Sequence, residues 1–303
     1  MSIVDKNISK KITWECVYRG DFEDSPEVTE ITVAEGISEI GENAFRDYKH
    51  LRSVRLPRSL RIISSCAFAG CTALSRVELS HGVDTLGDEA FFGCSSLVEM
   101  VMPDTVVRIG EGCFEGCASL SRVRFSEALT SIGSSAFAYC FNLREVTLPD
   151  GILLIEFGAF SSCFSLEGVH LPTTLRLLEE STFEGCRSLS AVDLPPNLYK
   201  IGRRAFSGCS SLRMLILPLA VREIGFDAFA GCSSLVRIAL PKGVREIEDD
   251  DIFSGCDALS EISYGGSKEE FEMLFHGKSV TVERSDLTLS TPKITFLDLK
   301  HEV

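Results

Sequence analysis

A single tryptophan, Trp14, and five histidines are all that this 303-residue chain carries of two residue types that often build sites. His50, His81, His170, His276 and His301 fall at unrelated positions of the pattern described below. None lies in a nucleophile or metal-ligand motif, and no glycine-rich phosphate loop is present. Basic residues are the minority, 30 Lys and Arg against 44 Asp and Glu, for a net charge of −14. An acidic surface repels phosphate backbones, which argues against general nucleic-acid or anionic-membrane binding. No apolar run approaches the roughly 20 residues needed to span a bilayer as a helix, so no membrane insertion is expected. The N-terminal MSIVDKNISKKITWECVYRG has lysines but no apolar stretch before a small-residue cleavage site, so as written it is not an export signal. The chain is expected in the cytoplasm, or outside the cell if a signal has been removed. No catalytic group, cofactor site or metal site emerges, and a non-enzymatic role is expected.

What is present is a repeat. Phe45, Phe68, Phe91, Phe114, Phe137, Phe160, Phe183, Phe206 and Phe229 follow one another at steps of 23 residues, and Phe253 follows one residue late, after an insertion near Asp249–Asp251. A period held over ten units is not a chance pattern. Three residues after the Phe comes a cysteine column from Cys71 to Cys256, and three further on a leucine column from Leu74 to Leu259. Val77 and Leu79 then alternate with polar residues as in a half-buried strand. Proline at 57, 103, 149, 172, 195, 218 and 241 ends each strand, because it lacks the N–H that ladder pairing needs. A second apolar pair (Val83 and Leu86, Val106 and Ile109) reads as a second extended segment. Gly87, Gly110, Gly133, Gly202 and Gly225 are read as turn residues, and the Ala-Phe pair as one helical turn that tucks its Phe inward. Stacked units bury Leu on Leu and Phe on Phe.

Strings such as LPPNLYKIGRRAFSGCSSL (194–212) and LPLAVREIGFDAFAGCSSL (217–235) resemble the bacterial BspA-like leucine-rich repeat family, over roughly residues 28–276. The resemblance implies a right-handed repeat solenoid with a parallel β-sheet face, short second strands and single helical turns, mainly β with little α. It also implies a protein-interaction role, of which bacterial surface adhesion and host interaction are the forms the family suggests. The general leucine-rich repeat signature places Asn or Cys after the strand; here the Cys column precedes it. The expected division is an N-terminal cap at 1–27, a solenoid at 28–264 and a C-terminal cap at 265–303. Ile12, Trp14 and Cys16 alternate as a short capping strand. Ser267 and Glu270 form a capping box, leading a helix with Phe271, Leu274 and Phe275 on one face, and 279–299 reads as short strands.

Twelve cysteines suggest disulfides or zinc, but parallel single cysteines 23 residues apart cannot converge tetrahedrally, and the column of nine is odd in number. A buried, reduced ladder is expected, since Cys packs as a small apolar residue with a weak donor. The acidic run Glu246, Glu248, Asp249, Asp250, Asp251 lacks the spacing of a calcium loop and reads as a solvated bulge.

Function is left to the outward strand positions. Early in the chain these are charged and mixed, as in Arg76 and Glu78. Later, Ala191, Met214, Ile216 and Ala239 make an apolar patch beside His170, Asp193 and Arg237, and exposed apolar patches often mark partner sites. Packing against a neighbouring subunit is the other reading of the same residues. Phe141 and Phe164, one period apart, are read either as an aromatic binding ledge or as fillers beside Tyr139 and Ser162, which replace the usual Gly. The expected function is a scaffold presenting its sheet face to a protein partner of unknown identity. A cytoplasmic adaptor and a carbohydrate-binding protein are the alternatives. Partner and oligomeric state are not encoded legibly.

Overall fold

The computed structural model describes residues 9–12, 16–17, 28–248, 252–276, 280, 282–283 and 289–296. Trp14 and Asp249–Asp251 lie outside them. The chain divides into two compact units, Met1–Gly151 and Ile152–Val303, and both are parallel β-solenoids.

In the first unit, front strands Glu30–Val33, Ser53–Arg55 and Arg76–Glu78 pair in parallel, with Glu30 opposite Ser53 and Ser53 opposite Arg76. Each side chain therefore lies beside its equivalent 23 residues on. Ser9–Ile12 extends this ladder by pairing with Glu30–Val33, and Cys16–Val17 pairs with Glu39–Ile40 in the rear ladder. The rear ladder continues through Ile62–Ile63, Thr85–Leu86, Arg108–Ile109 and Ser131–Ile132. In the second unit, rear strands Leu177–Leu178, Lys200–Ile201, Glu223–Ile224 and Glu246–Ile247 pair likewise.

The cores lie between the two ladders. Successive rings of Phe45, Phe68, Phe91, Phe114 and Phe137 stack with centroids 5.2–5.4 Å apart. In the second unit Phe160, Phe183, Phe206, Phe229 and Phe253 stack at 5.7–6.2 Å. All are buried. Truncating one such Phe to Ala would cost about 3–5 kcal/mol.

The turn carrying each Phe is not a turn of α-helix. Ala90, Phe92 and Cys94 donate N–H bonds three residues back, to the carbonyls of Gly87, Glu89 and Phe91. The intervening N–H groups of Glu89, Phe91 and Gly93 donate to Glu111, Cys113 and Glu115 of the next coil, at 2.6–2.8 Å. Left-handed residues, Glu89 at φ 54° and Gly93 at φ 66°, swing alternate peptides along the stack. Where Gly93 has its counterparts in Tyr139 and Ser162, these too are left-handed, at φ 59° and 58°. Among the described residues the one α-helix is Lys268–Leu274. Its capping box forms as expected, with Glu270 N–H donating to Ser267 and Ser267 N–H to Glu270, and Phe271 and Phe275 are buried. Lys293–Phe296 adds a parallel strand to Glu261–Tyr264, and Val282–Glu283 pairs antiparallel with Leu289–Ser290.

The reason for the glycine column also differs from the expected turn. Gly110 is not left-handed; a Cβ there would lie 2.5 Å from the Asp88 nitrogen and the Gly87 carbonyl carbon. At Gly87, Gly110, Gly133, Gly202 and Gly225 a side chain has no room because successive coils approach through their backbones, whereas Ser64, Glu156, Glu179 and Glu248 stand at the equivalent position of other coils.

None of the eleven cysteines whose side chains are described forms a disulfide, and all but Cys66 are buried. The Sγ atoms of Cys71, Cys94, Cys117 and Cys140 donate to the carbonyls of Phe45, Phe68, Phe91 and Phe114 at 3.0–3.3 Å. Cys186, Cys209, Cys232 and Cys256 do the same toward Phe160, Phe183, Phe206 and Phe229. The carbonyl of Phe68 also accepts from Cys71 N–H at 3.1 Å, so each lone pair is used. The column is Cys because a small apolar side chain must also reach a carbonyl. Burial pushes the thiols of Cys71 and Cys256 from near 9 up to about 12. A pKa raised by folding stabilises the protein fully below about pH 9 and ceases to as pH rises through 12, since the unfolded thiols ionise first. Native thiol titration at pH 8 should therefore label Cys66 ahead of the ten buried cysteines, whose labelling waits on unfolding. Denaturant midpoints should fall between pH 9 and pH 12. Rapid native labelling of the whole column would contradict this.

Candidate functional site

The outward positions fall where the strand alternation puts them. Ala191 and Asp193 are exposed at the ends of strand Ala191–Asp193, around half-buried Val192. Met214 and Ile216 flank buried Leu215 and are 51% and 63% exposed, a high value for large apolar side chains. Pairing places Met214 opposite Arg237 and Ile216 opposite Ala239. His170 lies opposite Asp193. Arg237 is held by Glu261 at 2.8 Å, and Ala239 is half-buried.

Ala191–Asp193 closes one ladder with Gly168–His170, and Met214–Ile216 opens another with Arg237–Leu240. At this interruption of the front sheet lies a shallow depression of about 540 Å³, lined by Ala191, Asp193, Met214, Ile216, Pro196 and Leu219 among others. Four of the six expected patch residues thus come together, while Arg237 and Ala239 flank them without lining the hollow. Leu219, 82% exposed, escaped the strand-based reading because it follows Pro218 in the turn. Its column gave a signal: the equivalents are Arg58, His81, Asp104, Glu127, Asp150, Thr173, Pro196 and Lys242, and a leucine there buries nothing in its own coil. In the first unit a similar depression, about 550 Å³, lies at the interruption between Arg76–Glu78 and Glu99–Val101.

Phe141 and Phe164 belong to different units. Phe141, 37% exposed, meets Tyr139 edge-on at 6.2 Å. Phe164 is half-buried beneath the Arg187 guanidinium, 4.4 Å from the ring centroid. Arg187 occupies the same column one coil on, so it covers Phe164 with a cation–π contact.

Among the described residues no three His, Cys, Asp or Glu side chains gather as metal ligands. In the acidic run, Glu248 accepts from Arg203 at 2.7 Å and from Phe226 N–H at 3.2 Å. The Arg203 hydrogen bond holds its carboxyl below the usual range. No described helix is long and apolar enough to cross a membrane.

A 23-residue coil of Leu, Phe and Cys ladders narrows the comparison with known proteins. The profile described as "BspA type Leucine rich repeat region" matches six copies, over residues 15–144, 87–213 and 130–260. The chain belongs to this family. Among solved structures this BspA-type chain is similar to a leucine-rich repeat protein from Bacteroides ovatus, with 24% identity over 96% of this chain and 92% of that one, TM-score 0.53. It is also similar to the pneumococcal vaccine antigen PcpA, with 16% identity over 96% and 85%, TM-score 0.52. A leucine-rich repeat protein of T. pallidum shares 30% identity over 65% and 81%, TM-score 0.47. No curated protein matches the sequence. The first two likenesses establish the fold, not a ligand.

Methionine oxidation tests the placement of the patch. Met214 should be oxidised by dilute peroxide well before Met100 and Met102, which are fully buried. Peptide mass spectrometry reads the order; equal rates would show that Met214 is covered.

Proposed function

We propose that this BspA-type protein is a non-enzymatic scaffold that binds a protein partner through the apolar depression on the front of its second unit. The observation that carries this reading is the adjacency of Met214, Ile216 and Leu219, all more than half exposed, around one hollow. Large apolar side chains gathered on a surface mark interaction sites more often than scattered ones do. Asp193, with His170 opposite it on the next strand, supplies a polar rim for register and specificity. Arg237 is tied to Glu261 and adds rigidity to that rim. Residues 1–27 and 265–303 serve in this reading as caps that keep open sheet edges from pairing with other copies. A surface or host-interaction role, adhesion included, is the finer form of the proposal. Its support is the resemblance to BspA-like proteins and the likeness to a protein named as a vaccine antigen.

Met214→Asp combined with Ile216→Asp should leave the melting temperature nearly unchanged, because surface changes usually stay within about 0.5 kcal/mol. The same variant should lose the proteins that the unaltered chain captures from host extract, as compared by quantitative mass spectrometry. Undiminished capture by a folded double variant would exclude this patch.

A further inference from the structure

The first unit carries a basic coil within an acidic protein. Between residues 46 and 61 stand Arg46, Lys49, Arg52, Arg55, Arg58 and Arg61 against a single Asp47, while the whole chain carries −14. These cations differ in what they hold. Arg46 pairs with Asp47 at 3.8 Å. Arg61 donates to the carbonyls of Leu60 and Arg58, and its guanidinium fills the space that a side chain at Gly82 would occupy. Arg55 lies opposite Glu78 in the sheet, but Glu78 is paired with Arg76. Near Arg58, the carboxylate of Glu35 accepts from the backbone N–H at 3.3 Å. Arg55 and Arg58 are exposed, and together they line a depression of about 560 Å³ with Leu56, Glu78, Leu79 and His81.

We infer that this depression is a second docking site, distinct from the apolar patch, and that its occupant is an acidic peptide segment with an apolar side chain beside the acid. Among the described residues no carboxylate pairs with the Arg55 or Arg58 guanidinium, and each presents a planar donor fork suited to a carboxylate. The half-buried Leu56 and Leu79 offer an adjoining apolar floor. Glu35 and Glu78 at the rim, with the net charge of the chain, disfavour a long polyanion such as a nucleic acid or a sulfated glycan. Charge complementarity thus selects a short acidic segment over a continuous anionic chain.

The test is fluorescence anisotropy with the full chain and a labelled peptide of alternating Glu and Tyr, beside its Gln-Tyr counterpart. The Glu peptide should bind, the Gln peptide should bind at least about tenfold more weakly, and salt should weaken the Glu complex. Arg55→Glu with Arg58→Glu should reduce affinity by about tenfold or more, and Met214→Asp with Ile216→Asp should not change it. If the charge reversal lowers the melting temperature, Arg55→Lys with Arg58→Lys takes its place. It keeps the charge, loses the fork geometry and should bind between the two extremes. Three outcomes overturn the inference: no binding of the Glu peptide, equal binding of both peptides, or binding indifferent to Arg55 and Arg58. Sedimentation that shows these arginines holding two copies of the chain together would also overturn it, since the occupant would then be a second copy.

Discussion

Backbone contact between successive coils is the constraint on which the rest of each unit depends. A side chain at Gly110 or Gly225 has no room against the coil before it. The Phe N–H reaches forward to the next coil, and the Cys thiol of the next coil reaches back to the Phe carbonyl. These contacts fix the register at 23 residues, so apolar side chains stack on their own equivalents and each coil buries what it could not bury alone. The buried thiols follow from this arrangement. They make a carbonyl contact inside a tight turn, and burial raises the pKa of thiols such as Cys71 and Cys256.

The ladders were legible in the sequence because they repeat. The Phe, Leu and Cys columns, the alternation in the front strands, and the capping box of Ser267 and Glu270 all appear in the structure where their spacing puts them. The geometry of the Phe turn was not legible. Its left-handed positions are occupied by Asn43, Cys66, Glu89, Ser135 and Arg204 as well as by glycine, and such residues give no compositional sign of their backbone angles. The role of the Gly87 column was misread for a related reason. A glycine spared by a neighbouring coil and a glycine in a turn look the same in one dimension.

The candidate surfaces became visible by another route. Ala191, Met214 and Ile216 stood out because strand alternation exposes them. The interruption of the front sheet that hollows the surface between their strands depends on small shifts in pairing that no residue announces. Leu219 needed comparison down its column. The basic coil around Arg55 and Arg58 is plain in composition once local charge is set against the whole chain. The two surfaces occupy different units and have different chemistry, one apolar with a polar rim and one cationic with an apolar floor. In both, the exposed residues are those the repeat does not use for stacking.

The central claim, that close backbone approach between coils sets the architecture, is tested most directly by a pair of glycine substitutions in the second unit. At Gly225 a Cβ would lie 2.5 Å from the Arg203 nitrogen, whereas at Gly168 nothing lies within 4 Å. Equilibrium denaturation should show Gly225→Ala destabilised by about 1–3 kcal/mol, the usual cost of overpacking. Gly168→Ala should be unchanged or slightly more stable, because the unfolded chain loses freedom. Equal effects at the two positions would contradict the account.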